Sequence, residues 1–162
     1  MAMSGDEPYR GPAPTEIPVV QGPGGSITGD PKPVRGSLGQ QLDTIAENDA
    51  GDVVASYQGF NVRRLPENNP EGVTNPDLDI NGTTTDVYAP ATPNPWNVAL
   101  TTNQKAGEQG PDMVLSFDRQ SAISTLTPED VISQLQNIPN LSLQKLYVVQ
   151  NGTMRLFQFG GN

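Results

Sequence analysis

The sequence predicts an α+β fold, mainly antiparallel β-sheet with one or two short helices and an extended, Pro/Gly-rich N-terminal arm. Two Asn-Gly pairs between β-rich runs predict hairpins, and two capping patterns predict helices. No helical pattern stands where it would connect parallel strands. Fourteen of the 33 prolines and glycines lie in residues 1–36. We therefore divide the chain into an arm (residues 1–36) and a small β-rich domain (residues 37–162).

The arm should not take one shape unaided. Its prolines interrupt helices and strand ladders, and ordering a backbone costs about 1–2 kcal/mol per residue. Few apolar side chains offset that cost, so we expect other chains to hold the arm in place. Its expected partner-binding anchors are Ile17, Val19 and Val20, for example as an edge strand on a neighbour's sheet. An arm that lies over its own domain is the alternative.

Two helices are predicted from their first turns. Ser37 and Gln40 form a capping box, which starts a helix over residues 37–48. A second helix over residues 127–138 begins with a Thr-Pro pair at the N-cap and first helical positions. Both are followed by segments that read as strands.

The clearest strands are those that flank the Asn-Gly pairs. Residues 141–159 form a predicted hairpin around Asn151-Gly152, because both turn residues tolerate the positive φ of a type I′ turn. A second hairpin is predicted around Asn81-Gly82 on the same grounds.

The remaining segments carry weaker patterns. Residues 52–65 predict one or two strands, and residues 113–118 alternate as a strand does. Residues 96–101 are interpreted as a strand, residues 103–111 as a polar loop and residues 66–76 as a proline-rich loop.

The composition narrows the range of functions. Eighteen acidic against nine basic residues give a net charge of −9, which argues against binding to phosphates, so no nucleic acid partner is expected. The chain has no His and no Cys, the commonest general base and the thiolate nucleophile. We therefore expect no enzyme activity and no cofactor. Without a long apolar run or a signal-peptide pattern, we expect no membrane partner and synthesis in a cytoplasm.

One acidic motif invites a metal-binding interpretation. Asp77, Asp79 and Asn81 begin a D-x-D-x-N-G pattern typical of calcium loops, but position 12 is Tyr88 instead of Glu. A hairpin turn explains both flanks of the motif, so calcium is the weaker hypothesis. Acid–base catalysis by paired carboxylates would need one desolvated carboxyl. We expect solvated surface carboxylates instead in both candidate groups, Glu108, Asp112 and Asp118 and Asp77, Asp79 and Asp86.

Trp96 is the one residue whose ring would suit a sugar or a partner's pocket. It stands between proline-rich turns, and packing into its own core is the favoured alternative. A partner-binding role for Trp96 therefore remains a hypothesis beside the anchors of the arm.

In composition and layout the chain resembles accessory structural proteins of bacteriophage virions, in particular capsid cement or decoration proteins. The resemblance implies several copies in a virion, favouring trimers, that bind the major capsid protein or other virion subunits through the arm. Two alternatives are kept: a tail, neck or fibre-attachment protein of the same particle, and a carbohydrate-binding adhesin module. Copy number and glycan binding distinguish them.

Overall fold

The computed structural model describes residues 9–66, 76–119 and 125–160. Within these residues eight strands form one sheet, and three helices pack on it. In chain order the elements are β1 Thr15–Ile17, β2 Ser26–Thr28, α1 Leu38–Ala55, β3 Asn61–Arg64, β4 Leu78–Ile80, β5 Thr83–Tyr88, α2 Pro95–Gln109, β6 Asp112–Ser116, α3 Pro128–Leu135, β7 Lys145–Gln150 and β8 Thr153–Gln158.

The sheet is mixed, with the strand order β1-β8-β7-β6-β5-β4-β3-β2. In the described part of the chain, four of its seven pairings are antiparallel, and the predicted α+β class is confirmed. The pairs β5–β6 and β6–β7 are parallel, and α2 and α3 connect them. The expectation that no helix connects parallel strands is therefore wrong.

Helices cover both faces of the sheet. One apolar cluster joins α2 and α3 to the inner strands through residues such as Met113 and Leu115, and a second joins α1 to the opposite face through Val114. This alternation follows from the two-residue period of a strand. Among the described residues, no helix has the length and apolar character that a membrane crossing requires.

Helix α1 begins where its capping box predicts, with Ser37 and Gln40 bonded reciprocally. It then continues to Ala55, through residues that we interpreted as the start of a strand. The buried residues Ala46, Ala50 and Val54 lie four apart, so they extend the stripe that packs on the sheet. The valines at positions 53 and 54 suggested a strand, but tertiary packing overrides that propensity.

Helix α2 replaces a predicted strand over residues 96–101 and most of a predicted loop over residues 103–111. Its start is marked by Asn94, whose side chain accepts a hydrogen bond from the Asn97 N–H, and by proline at the first helical position. Buried Val98 and Thr102 continue at helical spacing. The Asn-Pro signal was therefore present, but the β-branched residues obscured it.

Both predicted hairpin turns are present. Asn81 and Asn151 have φ values of 51° and 54°, and the glycine after each also has positive φ. Thr127 caps α3, as its position predicts, by accepting a hydrogen bond from the Asp130 N–H. The loop predicted for residues 66–76 lies mostly outside the described residues.

Residues 9–36 of the arm pack on their own domain. β1 pairs with β8 and β2 with β3, so the arm supplies both edge strands of the sheet. Ile17 and Val19 pack against the α1-side cluster, and the Gln58 N–H donates to the Val20 carbonyl at 2.8 Å. The expectation that other chains hold the arm is wrong, because strand pairing at both edges satisfies its backbone. The division at residue 36 stays a prediction.

Candidate active site

Three carboxylates come together where α1 passes the β4–β5 hairpin. Glu47 lies in α1, Asp77 precedes β4, and Asp86 lies in β5. Since Leu78 pairs with Thr85 in this antiparallel hairpin, the next residues along, Asp77 and Asp86, face each other. Their side chains are hydrogen-bonded and buried. We call Glu47, Asp77 and Asp86 the carboxylate cluster.

Two lysines neutralise the carboxylate cluster from opposite sides. Lys32 Nζ lies 3.4 Å from Glu47 Oε1 and is also hydrogen-bonded to Asp77. Lys105, on α2, places its Nζ 3.6 Å from Asp86 Oδ2. The Asp77 and Asp86 side chains are less than a tenth exposed, so these ion pairs are shielded from solvent on the acidic side.

The environment of the cluster favours protonated carboxyls. Burial and repulsion from Asp77 raise the pKa of Glu47 to about 7, although Lys32 opposes the change. Burial and the hydrogen bond to Asp77 raise the pKa of Asp86 to about 8 against the attraction of Lys105. Burial alone would lower the pKa of Lys32, but Asp77 and Glu47 outweigh it and raise it. Two carboxyls are thus able to exchange protons near neutral pH.

Lys32 is fixed by its backbone. The Lys32 N–H donates to Asn48 Oδ1 at 3.0 Å, and Asn48 Nδ2 donates back to the Lys32 carbonyl at 2.9 Å. Asn48 follows Glu47 on α1, so this reciprocal pair sets the ammonium beside the cluster. The arm therefore contributes a cation to the site.

A cavity of about 450 Å³ opens beside the cluster, between the end of the arm and the first half of α1. We call it the α1 cavity. Its lining is mixed, with two cations, two carboxylates and several uncharged polar groups: Lys32, Pro33, Arg35, Gly36, Gln40, Asp43, Thr44 and Glu47. Glu47 belongs to the carboxylate cluster and also lines the cavity, and Lys32, which pairs with the cluster, lines the cavity too. The cavity and the carboxylate cluster therefore form one continuous site.

The structure does not gather the calcium candidates Asp77, Asp79 and Asn81 around one point. Asp79 Oδ1 accepts the Gly82 N–H at 2.8 Å, which closes the hairpin turn. Asp77 instead belongs to the carboxylate cluster and also accepts the Val87 N–H at 2.9 Å. Among the described residues, no group of three or more Asp, Glu, His or Cys side chains is placed to hold a metal ion.

The predicted partner-binding residues divide into two groups. Ile17 and Val19 pack against the core of their own chain. Val20 is 58% exposed and Trp96, near the start of α2, is 38% exposed, so Trp96 is not a core residue. Binding of another chain by these residues stays a prediction.

Sequence reasoning did not single out Glu47, Lys32 or Lys105, and it placed Asp86 at the solvated surface. The structure buries Asp86 instead. The sequence did contain a signal for this contact. A two-residue turn at Asn81-Gly82 fixes the register of the hairpin, and in that register Asp77 lies opposite Asp86. A like-charge pair at facing positions costs stability, and such a pair indicates function.

The net charge of −9 does not show where the basic residues lie. Five of the nine basic residues surround the carboxylate cluster or the α1 cavity, directly or through a residue that lines them: Lys32, Arg35, Arg64, Lys105 and Arg119. Electrostatic attraction of a substrate depends on the potential at the site more than on the total charge. The acidic composition was therefore no ground for excluding a polyanionic partner.

Comparison with known proteins gives three matches. Residues 74–154 match the family described as "Contact-dependent growth inhibition CdiA C-terminal domain". Over 143 residues, 85% of this chain, the sequence is 32% identical to the tRNA nuclease CdiA-2 of Burkholderia pseudomallei (strain 1026b), and it spans 4% of that protein's length. A solved CdiA-CT/CdiI toxin and immunity complex from Burkholderia pseudomallei contains a chain with a TM-score of 0.67 and 30% identity, covering 83% of this chain and 99% of that one.

These matches overturn the functional part of the sequence analysis. A growth-inhibition domain replaces the capsid cement protein, and neither the tail-protein nor the adhesin alternative is supported. The relative is named a nuclease, against the expectation of no enzyme activity and no nucleic acid partner. The solved relative is in complex with an immunity protein, not with capsid subunits in a trimer, and a virion location is wrong.

The resemblance to virion proteins failed because arms, prolines and acidity are features of layout, which unrelated folds share. The family match spans half of the chain, and the solved relative is aligned over nearly its whole length. The chain therefore belongs to the contact-dependent growth inhibition CdiA C-terminal domain family.

Proposed function

We propose that this chain is a toxin domain that cleaves tRNA at the carboxylate cluster. The name of its relative, a tRNA nuclease, supports the substrate class, and the shared family supports a role in growth inhibition. The observation that carries the proposal is that the partly buried Glu47 and the buried Asp86 both interact with Asp77, have pKa values raised to about 7 and about 8, and each have a lysine ammonium within ion-pair distance. Carboxyls that burial and neighbouring charges shift in this way are typical of catalytic sites.

The two carboxyls would take complementary roles. Glu47, the carboxyl with the lower pKa, would accept the proton of the attacking hydroxyl group in its ionised form, and Asp86, the carboxyl with the higher pKa, would give its proton to the leaving oxygen. One P–O bond forms and one breaks. Glu47 gains one proton and Asp86 loses one, so the protons balance. Asp77, hydrogen-bonded to Asp86 and to Lys32, holds them in place.

The lysines would stabilise the charge that gathers on the phosphate. Lys32 and Lys105 approach the cluster from opposite sides, on the arm and on α2. A preorganised ammonium in a partly desolvated site stabilises a developing anion more than water does. The cluster would otherwise repel a phosphodiester, so both lysines are part of the proposal.

The test is cleavage of total tRNA by the purified chain, followed on denaturing gels. We expect Glu47→Gln and Asp86→Asn each to lower the rate at least about a hundredfold, because acid–base groups contribute that much. Glu108→Gln on α2 removes the same charge from an exposed position and should leave the rate unchanged. The reaction is run with added divalent cations and with a chelator. Failure to cleave tRNA in both buffers would refute the proposal, as would full activity of both cluster variants.

We also propose that an immunity protein is the partner of this chain, since the solved relative is held in a toxin and immunity complex. Adding the immunity protein encoded with this chain should abolish tRNA cleavage, and a non-cognate immunity protein serves as the control. Undiminished cleavage in a stoichiometric mixture of the cognate pair would contradict this part of the proposal.

A further inference from the structure

The α1 cavity shares Lys32 and Glu47 with the site of bond cleavage, but Arg35, Gln40, Asp43 and Thr44, which also line it, have no role in the proposed cleavage. We propose that it binds the RNA nucleotide next to the cleaved bond, with Arg35 paired to that nucleotide's phosphate. This inference rests on the proposed function and adds to it a substrate-binding residue and a subsite. Its support comes from volume, charge and hydrogen-bonding capacity.

The volume and position suit a nucleotide. About 450 Å³ lies within the range of small-molecule pockets, which starts near 300 Å³. Lys32 and Glu47 line the cavity and also belong to the site of cleavage, so a chain with its scissile phosphate there would place its neighbouring nucleotide in the cavity.

The charges in the cavity favour an anion. Asp43 is already held by Arg119, whose Nε donates to Asp43 Oδ1 at 2.8 Å. Burial and Asp77 raise the pKa of Glu47 to about 7, so its negative charge is incomplete at neutral pH. Arg35 is exposed, and among the described residues none forms a hydrogen bond or ion pair with its guanidinium. A planar guanidinium with free donors is suited to a phosphate.

The turn that carries Arg35 into α1 is held by backbone conformation and a hydrogen bond. Gly36 has φ 92°, a left-handed conformation that favours glycine. Gln41 Nε2 donates to the Gly36 carbonyl at 2.9 Å. Thr44 and Gln40 also line the cavity. The Thr44 hydroxyl donates to the Gln40 carbonyl at 3.0 Å and Gln40 Oε1 accepts the Ser37 N–H, which leaves the Thr44 oxygen as an acceptor and Gln40 Nε2 as a donor for a base or ribose. The segment is therefore preorganised, which lowers the entropic cost of binding.

The first test measures affinity by fluorescence anisotropy of labelled tRNA, with Asp86→Asn as the background so that the RNA stays intact. Arg35→Gln should weaken binding about tenfold at low salt and reduce the slope of log K against log salt by about 1. Arg63→Gln is the matched control, an arginine with a 59% exposed side chain on β3, and should change neither quantity appreciably. An unchanged slope in Arg35→Gln would overturn the proposal.

The second test fills the cavity without altering charge. Thr44→Phe should block the subsite and weaken tRNA binding, whereas Thr44→Ser keeps the hydroxyl and should behave as the parent. In NMR titrations, AMP should shift the signals of Arg35 and Thr44 more than adenosine or inorganic phosphate does, and Arg35→Gln should abolish the AMP effect. Equal tRNA binding by the Phe and Ser variants would count against the subsite.

The outcomes separate the two proposals. If tRNA is cleaved and Arg35→Gln leaves KM unchanged, the subsite is wrong and the proposed function stands. If no tRNA is cleaved but AMP binding depends on Arg35, the subsite stands and the proposed function fails. The expected result for Arg35→Gln is a raised KM with nearly unchanged kcat, because the residue contacts a phosphate away from the reacting bond.

Discussion

Asp86→Asn should stabilise the folded protein at alkaline pH while it abolishes activity. The pKa of Asp86 is raised from 3.8 to about 8, chiefly by burial, so the folded state binds this proton more tightly than the unfolded state does. Stability must therefore decrease as the pH rises from about 4 to about 8, and an asparagine escapes that loss. At pH 4 the wild-type side chain is protonated in the fold, and the two proteins should be similar.

The size of the effect follows from the shift. About four pKa units at ~1.4 kcal/mol each give a ceiling of about 6 kcal/mol. Lys105 loses its partner in the variant, and the remaining carboxyls adjust, so we expect a net gain of about 1–3 kcal/mol at pH 8.5. For a domain of this size that corresponds to a rise in Tm of about 3–10 °C.

The assay is thermal unfolding by circular dichroism from pH 4.5 to 9, with Glu108→Gln as the control for the loss of one exposed charge. The difference between Asp86→Asn and wild type should increase with pH, and the control should stay parallel to wild type. A variant that is less stable than wild type at pH 8.5, or a difference that does not depend on pH, would refute the reasoning about the cluster.

Three further predictions concern one contact at the site and two contacts at the β8 end of the sheet. Tyr57→Phe should lower Tm by several degrees in thermal unfolding, because the buried Met154 N–H loses the Tyr57 hydroxyl as its acceptor, 2.7 Å away, at a cost of about 1–3 kcal/mol. Tyr9→Phe, at an exposed position, is the control. Asn48→Ala should slow tRNA cleavage about ten- to a hundredfold and shift the pH profile, since Lys32 loses both backbone bonds. Arg155→Ala should cost under about 1 kcal/mol yet speed hydrogen exchange in β1, because its pair with Glu16 joins β8 to that strand.

Each of these three predictions has an outcome that would contradict it. An unchanged Tm for Tyr57→Phe would mean that water satisfies the freed N–H. An Asn48→Ala enzyme with wild-type rate and pH profile would show that Lys32 needs no positioning. Unaltered exchange in β1 of Arg155→Ala would mean that strand pairing alone holds this edge.

Sequence reasoning found the turns and helix starts, whose conformation is determined by a few neighbouring residues. The turns at Asn81 and Asn151 need positive φ, and the caps at Ser37 and Thr127 need one side chain each, so their signals do not depend on tertiary context. Helix α2 was missed because its buried stripe contains the β-branched residues Val98 and Thr102, whose helix propensity is low, and its helical packing depends on the sheet below.

The candidate site could be predicted only in part. Asp77 and Asp86 follow from hairpin register, which was available from the sequence. Glu47 and Lys32 reach the cluster through packing of α1 and the arm on the hairpin, contacts between residues 15 and 45 positions apart. Such long-range contacts leave no local pattern. The absence of His and the acidic total were poor guides, since carboxyls with raised pKa values can serve as acid–base groups in place of imidazole and charge acts locally.

One segment of backbone, the arm, contains both edge strands of the sheet and Lys32 of the candidate site. Pro14 and Pro18 border β1. The three-residue strands β1 and β2 cover the edges of the longer strands β8 and β3, which would otherwise be open to pairing with another molecule. A proteolytic nick near residue 24 would detach β1 from the covalent chain of the domain and leave β2 and Lys32 on a new N-terminal tail. Exposure of the β8 edge and, under the proposed function, a lower rate of tRNA cleavage should then appear together after one cut.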